Sequence, residues 1–331
     1  MANVLDRTAL SGLIPEPVSR EIMQGAVAES AVLRMGRRLA NMSSKTQSIN
    51  VLDALPTAYF VNGEATDAEA ATGALKQTTK MAWDKKKLYA EEIAVIVPIP
   101  EAVLDDADYD IWGEVKPRLN EAFGKVIDSA ILFGTNKPAT WRAGIVPSAV
   151  ASGNTVAATS DIYADIMGVD GLIAQVEEDG YVPNGVMAAI KLRAMLRGIR
   201  EEGGAPIFKT DMQGATRYAL DGMDTYFPVN GAFDPTEALA IVGDWSQLVY
   251  AIRQDMTFKI FTEGVIQNPS TGAIEYNLMQ NDMVALRAVM RLGWEVANPI
   301  NAFNADNATA FPFSVYTPAE PVDPEQPDAG E

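Results

Sequence analysis

Residues 58–90 read AYFVNGEATDAEAATGALKQTTKMAWDKKKLYA, and IAVIVPIP (93–100) and PRLNEAFGKVIDSAILFG (117–134) follow closely. The first stretch is polar and rich in Ala, Thr and Gly, with too few large apolar residues to bury a core of its own. The second is a continuous apolar strand and the third a strongly periodic helix. Asn62-Gly63 signals a turn, so 47–90 is expected to form a long two-stranded arm. A two-stranded arm projecting from a compact domain is marginal in water. It must lie on something, and no other part of the chain looks like its bed. That points to other copies of the same chain.

The helix that follows shows the clearest period. Val115, Leu119, Ala122, Phe123, Val126, Ile127, Ala130 and Ile131 make one apolar stripe, with Lys116, Asn120, Glu121, Lys125 and Asp128 largely away from it. Pro117 is tolerated in a first turn but not deeper, so the helix is expected to start afresh near Lys116 or to kink there. Gly134 is the expected stop. Upstream, Ile14-Pro15-Glu16-Pro17 is extended, and Val18 to Leu39 reads as a helix, with Ser30 to Arg38 ambiguous. The return strand is expected from Gln77 to Pro98. Met81, Trp83, Lys85, Lys87 and Tyr89 share one of its faces, followed by Ile93, Val95 and Val97.

Trp141 to Val242 alternates in the α/β manner. It offers a helix from Ser160 through Glu178 ending at Gly180, a strand Gly185 to Ala189, and a helix Lys191 to Arg200 closed by Glu201-Glu202-Gly203-Gly204. This reads as a second lobe inserted between two parts of the first. Strands return with Ala238 to Val242, Leu248 to Ile252 and Thr257 to Ile260. In Met283 to Val296, Val284, Leu286, Ala288, Met290, Leu292, Trp294 and Val296 face one way, with Arg287, Arg291 and Glu295 opposite. Such a strand is buried on one side and wet or subunit-facing on the other. The tail from Thr317, TPAEPVDPEQPDAGE, is Pro-rich and acidic and is expected to be disordered.

The chain of 331 residues holds no His and no Cys. That excludes thiol nucleophiles, imidazole catalysis and zinc sites built on S or N ligands. It also excludes disulfides, which fits a reducing cytoplasm. No phosphate-binding glycine loop is present. Asp106-Ala-Asp108-Tyr-Asp110 begins like a calcium loop, but Ile111 stands where that loop needs Gly and Pro117 where it needs Glu. Glu91-Glu92, Glu177-Glu178 and Glu201-Glu202 read as solvated surface. No cofactor and no metal is expected. No run reaches the roughly 18 apolar residues of a membrane span, and the start lacks the layout of a secretory signal. The net charge of −18, from 44 acidic against 26 basic residues, opposes binding to nucleic-acid backbones. It reads as a solubility device, or as a surface that must lie near packed polyanion without sticking. Lys85-Lys86-Lys87 reads as a protected strand edge, as contact with an acidic neighbouring subunit or, less well, as a nucleic-acid patch.

The order of elements resembles the major capsid proteins of tailed bacteriophages, the Hong Kong-type fold, from about Leu13 to Phe303. Ile14-Pro15-Glu16 resembles the opening of the arm, and Ala58-Tyr-Phe-Val-Asn-Gly63-Glu64 the entry to the family's extended loop. Val97-Pro98-Ile99-Pro100-Glu101 with Leu104-Asp105-Asp106 resembles the junction into the spine helix, and Phe123 to Gly134 the end of that helix. Gly243-Asp244-Trp245-Ser246 matches a Gly-Asp-aromatic-Ser signature. Val284 to Arg291, Pro299 and Ala302-Phe303 resemble the closing strand and its ending.

The resemblance implies an α+β fold divided into an N-terminal arm (1–46), an extended loop (47–90), a peripheral domain with the spine helix (91–140), an axial domain (141–246), peripheral return strands (247–316) and the tail (317–331). It implies hexamers and pentamers of this chain closing into an icosahedral head around double-stranded DNA, assembled in the host cytoplasm and carried in the virion. It implies no enzymatic activity. Since the arm begins within about ten residues of Met1, scaffolding is expected from a separate protein, alongside a portal and a possible decoration protein. Candidate inter-subunit contacts are Glu64, Lys76, Lys80, Trp83, Lys85, Lys86, Lys87, Arg287 and Arg291. Some relatives join a loop Lys to a neighbour's Asn. Asn298, Asn301 and Asn304 are available here, but no local pattern marks a pair, and cross-linking is not expected. An encapsulin-type nanocompartment and, from another class, a soluble α/β enzyme with the inserted lobe as substrate domain are the alternative readings.

Overall fold

The computed structural model describes residues 30–58, 78–106, 111–199, 219–304 and 309–319. The first part runs α1 (Ala31–Met35), β1 (Arg37–Arg38), β2 (Thr46–Ala54), β3 (Ala82–Tyr89), β4 (Glu91–Pro100), α2 (Glu101–Asp106) and α3 (Ile111–Leu132). Next come α4 (Ile145–Ser152), β5 (Thr155–Ala157), α5 (Ile162–Met167), α6 (Leu172–Glu178), β6 (Gly185–Ala188), α7 (Ile190–Gly198), β7 (Ala219–Leu220), β8 (Met223–Tyr226) and β9 (Ala240–Gly243). A 3-10 turn (Trp245–Gln247) leads into β10 (Leu248–Phe261), β11 (Val265–Gln267), β12 (Ile274–Asn277), β13 (Met283–Val296) and β14 (Phe313–Thr317).

One lobe is a four-stranded sheet in the order β1-β10-β13-β4, with β13 antiparallel to both long neighbours. The alternation seen in the sequence of β13 decides its orientation. Leu286, Ala288, Met290, Leu292, Trp294 and Val296 are buried and share a core with Leu119, Phe123, Ile127 and Ile131 of α3. Each buried Leu, Ile, Val, Met or Phe among them contributes about 1.5–3 kcal/mol. Arg287, Arg291 and Glu295 lie on the opposite face. The second lobe is a six-stranded sheet in the order β5-β14-β9-β6-β8-β7. Its second core joins Ile166 and Leu172 of the helical layer to Leu192, Leu196, Val242 and Tyr316.

The Gly-Asp-Trp-Ser signature is the joint between the lobes. A Cβ on Gly243 would meet Pro312 O at 2.4 Å, so only Gly lets β9 pass β14 there. Asp244 caps the 3-10 turn: its Oδ1 accepts from Ser246 N at 3.1 Å, Ser246 Oγ at 2.6 Å and Asn184 Nδ2 at 2.7 Å. Trp245 is buried, donates Nε1–H to Gly185 O at 3.0 Å and packs edge-on against Phe313 at 5.1 Å.

Several expectations change. The single return strand from Gln77 to Pro98 is two strands, β3 and β4, in different sheets, separated at Ala90. Ala90 N donates to Lys45 O, and Gly293 of β13 passes so close that a Cβ there would lie 2.8 Å from Tyr89 O. The inward face switches at this joint: Lys86 and Leu88 turn inward in β3, whereas Ile93, Val95 and Val97 do so in β4. The spine helix α3 starts at Ile111 and runs through Pro117 rather than starting at Lys116. Ala122 and Val126 are exposed and Asp128 is fully buried, the reverse of their expected placement. The expected Ser160–Glu178 helix is α5 and α6, broken at Gly168–Gly171, where Cβ atoms on both glycines would strike backbone. Strands Leu248–Ile252 and Thr257–Ile260 are one strand with register shifts between them. Of the helix expected over Val18–Leu39, the part before Ser30 lies outside the described residues; α1 is a short remnant, and Arg37–Arg38 is strand. β14 pairs with β9 and β5, so the end of the expected return-strand segment, and Thr317 of the expected tail, belong to the six-stranded sheet.

Candidate inter-subunit interface

The root of the arm is β2 paired antiparallel to β3, from Thr46↔Tyr89 to Ala54↔Ala82. Leu88 is fully buried, while Trp83 is 61% exposed, an indole that the described residues leave uncovered. Lys85 and Lys87 are exposed on the same face as Trp83, and Lys80 is exposed just before the strand. Lys86 is different. It points inward and donates Nζ–H to Val296 O at 3.3 Å. Burial first, and the Arg142 charge second, hold its ammonium below the usual lysine range. Of the lysine triplet, Lys85 and Lys87 remain available to a neighbour, and Lys86 is committed to its own chain. Glu64 and Lys76 lie outside the described residues.

Arg287 and Arg291 come together on the outer face of the four-stranded sheet. Arg291 Nε donates to Glu92 Oε2 at 2.7 Å, opposite it in the β4–β13 ladder. The pair is solvent-exposed, and such pairs contribute about 0–1 kcal/mol. The Arg287 guanidinium lies 4.7 Å from the centre of the Phe261 ring. Lys259 of β10 stands opposite Arg287. Sequence reasoning missed Lys259, because its partner is set by a ladder whose register a bulged strand hides.

A second missed residue lies on the spine helix. The Asp128 carboxylate accepts from Ser30 Oγ at 2.5 Å, Ala31 N at 2.8 Å, Val32 N at 3.1 Å and Asn230 Nδ2 at 2.6 Å. It clasps the place where the N-terminal segment meets α3, together with the loop before β9. Burial raises its pKa above the usual carboxylate value, and the four donors pull it back. Gly124, one turn earlier, is buried on the same side. A mid-helix Gly is a signal for close approach of another segment.

The asparagines considered for cross-linking are held internally. Asn298 is buried; its Oδ1 accepts from Tyr181 O–H at 2.6 Å and its Nδ2 donates to Ala310 O at 2.9 Å. Asn301 Nδ2 donates to Asp179 O at 2.7 Å and Asn304 Nδ2 to Asp179 Oδ1 at 3.1 Å. Among the described residues no group of acidic side chains is placed to hold a metal, and no helix is long and apolar enough to cross a membrane.

Comparison with known proteins agrees with this geometry. The model of the phage capsid family matches residues 11–305. A curated relative, the major capsid protein of Staphylococcus phage 80alpha, is 24% identical over 298 residues, covering 89% of this chain and 85% of that protein. A solved chain from Microbacterium phage Oxtober96 is 36% identical, covers 95% of this chain and 99% of its own, and superposes with a TM-score of 0.81. One from Mycobacterium phage Adephagia is 30% identical with 96% and 98% coverage and a TM-score of 0.78. Matched by the family model over residues 11–305, this chain belongs to the phage capsid family.

Proposed function

We infer that this chain is the major capsid protein of a tailed phage, many copies of which build the virion head shell around its double-stranded DNA. The family match over residues 11–305 carries this reading. The arm root supports it physically: Trp83, Lys85 and Lys87 form a face that the described residues leave open, as a subunit that lies across its neighbour requires. Overlapping arms multiply weak contacts, and closure converts them into one stable assembly. The nanocompartment and enzyme readings are not favoured by these comparisons.

The finer organisation belongs to the same proposal. The four-stranded lobe with α3 is the peripheral domain and the six-stranded lobe the axial domain, meeting its copies at the centres of hexamers and pentamers. The subunit performs no catalysis. A separate scaffolding protein, a portal and a decoration protein are its expected partners, and assembly takes place in the host cytoplasm. Electron microscopy of the purified chain and of native particles tests the reading. Closed icosahedral shells, with DNA in the native ones, are expected; a species that stays a small monomer at high concentration under every salt condition contradicts it.

A further inference from the structure

The outer face of the four-stranded sheet carries a charge arrangement that the described residues leave incomplete. Lys259 and Arg287 stand directly opposite each other on β10 and β13. Like charges in that position destabilise a sheet. Arg291, two pleat repeats away on the same face, shows the ordinary remedy, a carboxylate across the ladder in Glu92. Opposite Arg287 on the β4 side stands Ile96, 48% exposed, which offers no charge. Among the described residues, no carboxylate forms an ion pair with Lys259 or Arg287.

The geometry sharpens this. Phe261 holds the Arg287 guanidinium in place at 4.7 Å, and Arg287 Nε is buried with no hydrogen-bond partner. A buried donor left unmade is costly, more so when charged. The two cations line a pocket of about 190 Å³ with Gln254, Thr257, Val289 and the Glu92–Arg291 pair, whose carboxylate is already spent on Arg291. That is small for an extended ligand and ample for a single side chain.

We propose that a carboxylate side chain from a neighbouring copy of this chain seats in this pocket, bridging Lys259 and Arg287 and accepting the Arg287 Nε–H. The proposal rests on the shell reading above and names one of its contacts. Charge complementarity selects the occupant: with 44 acidic residues against 26 basic, the surface of a second copy offers carboxylates in excess. A nucleic-acid backbone fits poorly, since the pocket is small for an extended ligand and the chain is strongly acidic overall.

Particles assembled from a mixture of isotopically heavy and light copies, treated with a carbodiimide and digested for mass spectrometry, test the contact. The reagent joins a lysine amine to a carboxylate already touching it. Lys45 and Glu91, 3.6 Å apart within one chain, serve as the internal control. The expected result is a Lys259–Asp or Lys259–Glu peptide pair of mixed isotope, present in particles and absent from dissociated subunits, and lost in Lys259→Gln. In Arg287→Met particles the same pair is expected to diminish severalfold. If particles form and Lys45 couples while Lys259 stays free, the proposal is overturned and the shell reading stands. Shielding of Lys259 from an amine reagent only while DNA fills the particle also overturns it. Failure to form particles at all strikes the shell reading instead.

Discussion

Asp128 shows how much a single buried carboxylate decides. Four donors converge on it, from the Ser30 hydroxyl, two backbone amides and the Asn230 amide. Asp128→Asn keeps the shape but turns an NH2 toward those donors, so some lose their acceptor. The expected loss is about 2–3 kcal/mol of subunit stability, read from urea midpoints. A pH series adds a second check. Burial raises the folded-state pKa above the unfolded value. Between those two values the folded chain keeps a proton that the unfolded chain has lost. The Asp128 contribution to stability therefore falls as pH rises through the window above the ordinary carboxylate range. The gap between the parent and Asp128→Asn is expected to narrow across that window; a constant gap contradicts the raised value. In the sequence this residue read as solvent-facing. The apolar stripe describes what α3 needs from the sheet, and says nothing about a polar clasp closed by residues about 100 positions away on either side.

At the scale of elements, Gly293 marks where the chain leaves one sheet for another. A side chain there would press on Tyr89 O and Ala90 N. Gly293→Ala is expected to destabilise the subunit by about 1–3 kcal/mol, as overpacking at a fixed backbone does, measured by thermal or urea unfolding. Trp83→Ala makes the opposite prediction. Its indole is exposed, so subunit stability should stay within about 0.5 kcal/mol, while particle yield falls because the arm loses its largest contact area. Equal yield would remove Trp83 from the interface.

The contrast explains what was legible. Long elements with one clean period, β13 above all, were readable because their large apolar residues recur on one face, although Ala285 and Val289 of the other face are buried too. The spine helix was readable as an element, but its edges were not, since Ala122 and Val126 match the period and still face solvent. The β3–β4 joint was hidden because both strands are extended, with no Gly or Pro between them. Only the crossing with Gly293, 203 residues later, separates them. Arg287 and Arg291 were visible from alternation alone, whereas Lys259 needed the ladder register.

Across the whole molecule, the N-terminal segment, the spine helix and the loop before β9 meet at one point, and the two lobes meet at another, around Trp245. The asparagines that could have formed covalent joints are occupied within the subunit, Asn298 fully buried among them. Virions boiled in detergent are therefore expected to run as a monomer band, and a ladder of high-mass species would contradict this. Shell cohesion then rests on non-covalent contacts repeated around a closed surface.

The placement of β14 has a practical consequence for anyone recombining these shells. Its strand enters the six-stranded sheet between β5 and β9, although it is read last, after the whole of the other sheet. The inserted lobe is thus no cassette bounded by residues 141 and 246. A chimera that exchanges only that span with a relative would mate a foreign β5 and β9 to the resident β14, and should give insoluble subunits. A graft that also carries 309–319 should give soluble ones, with the two outcomes compared by soluble yield and gel filtration. The unit of modular exchange in this chain is discontinuous, stitched shut by β14 from beyond the other sheet.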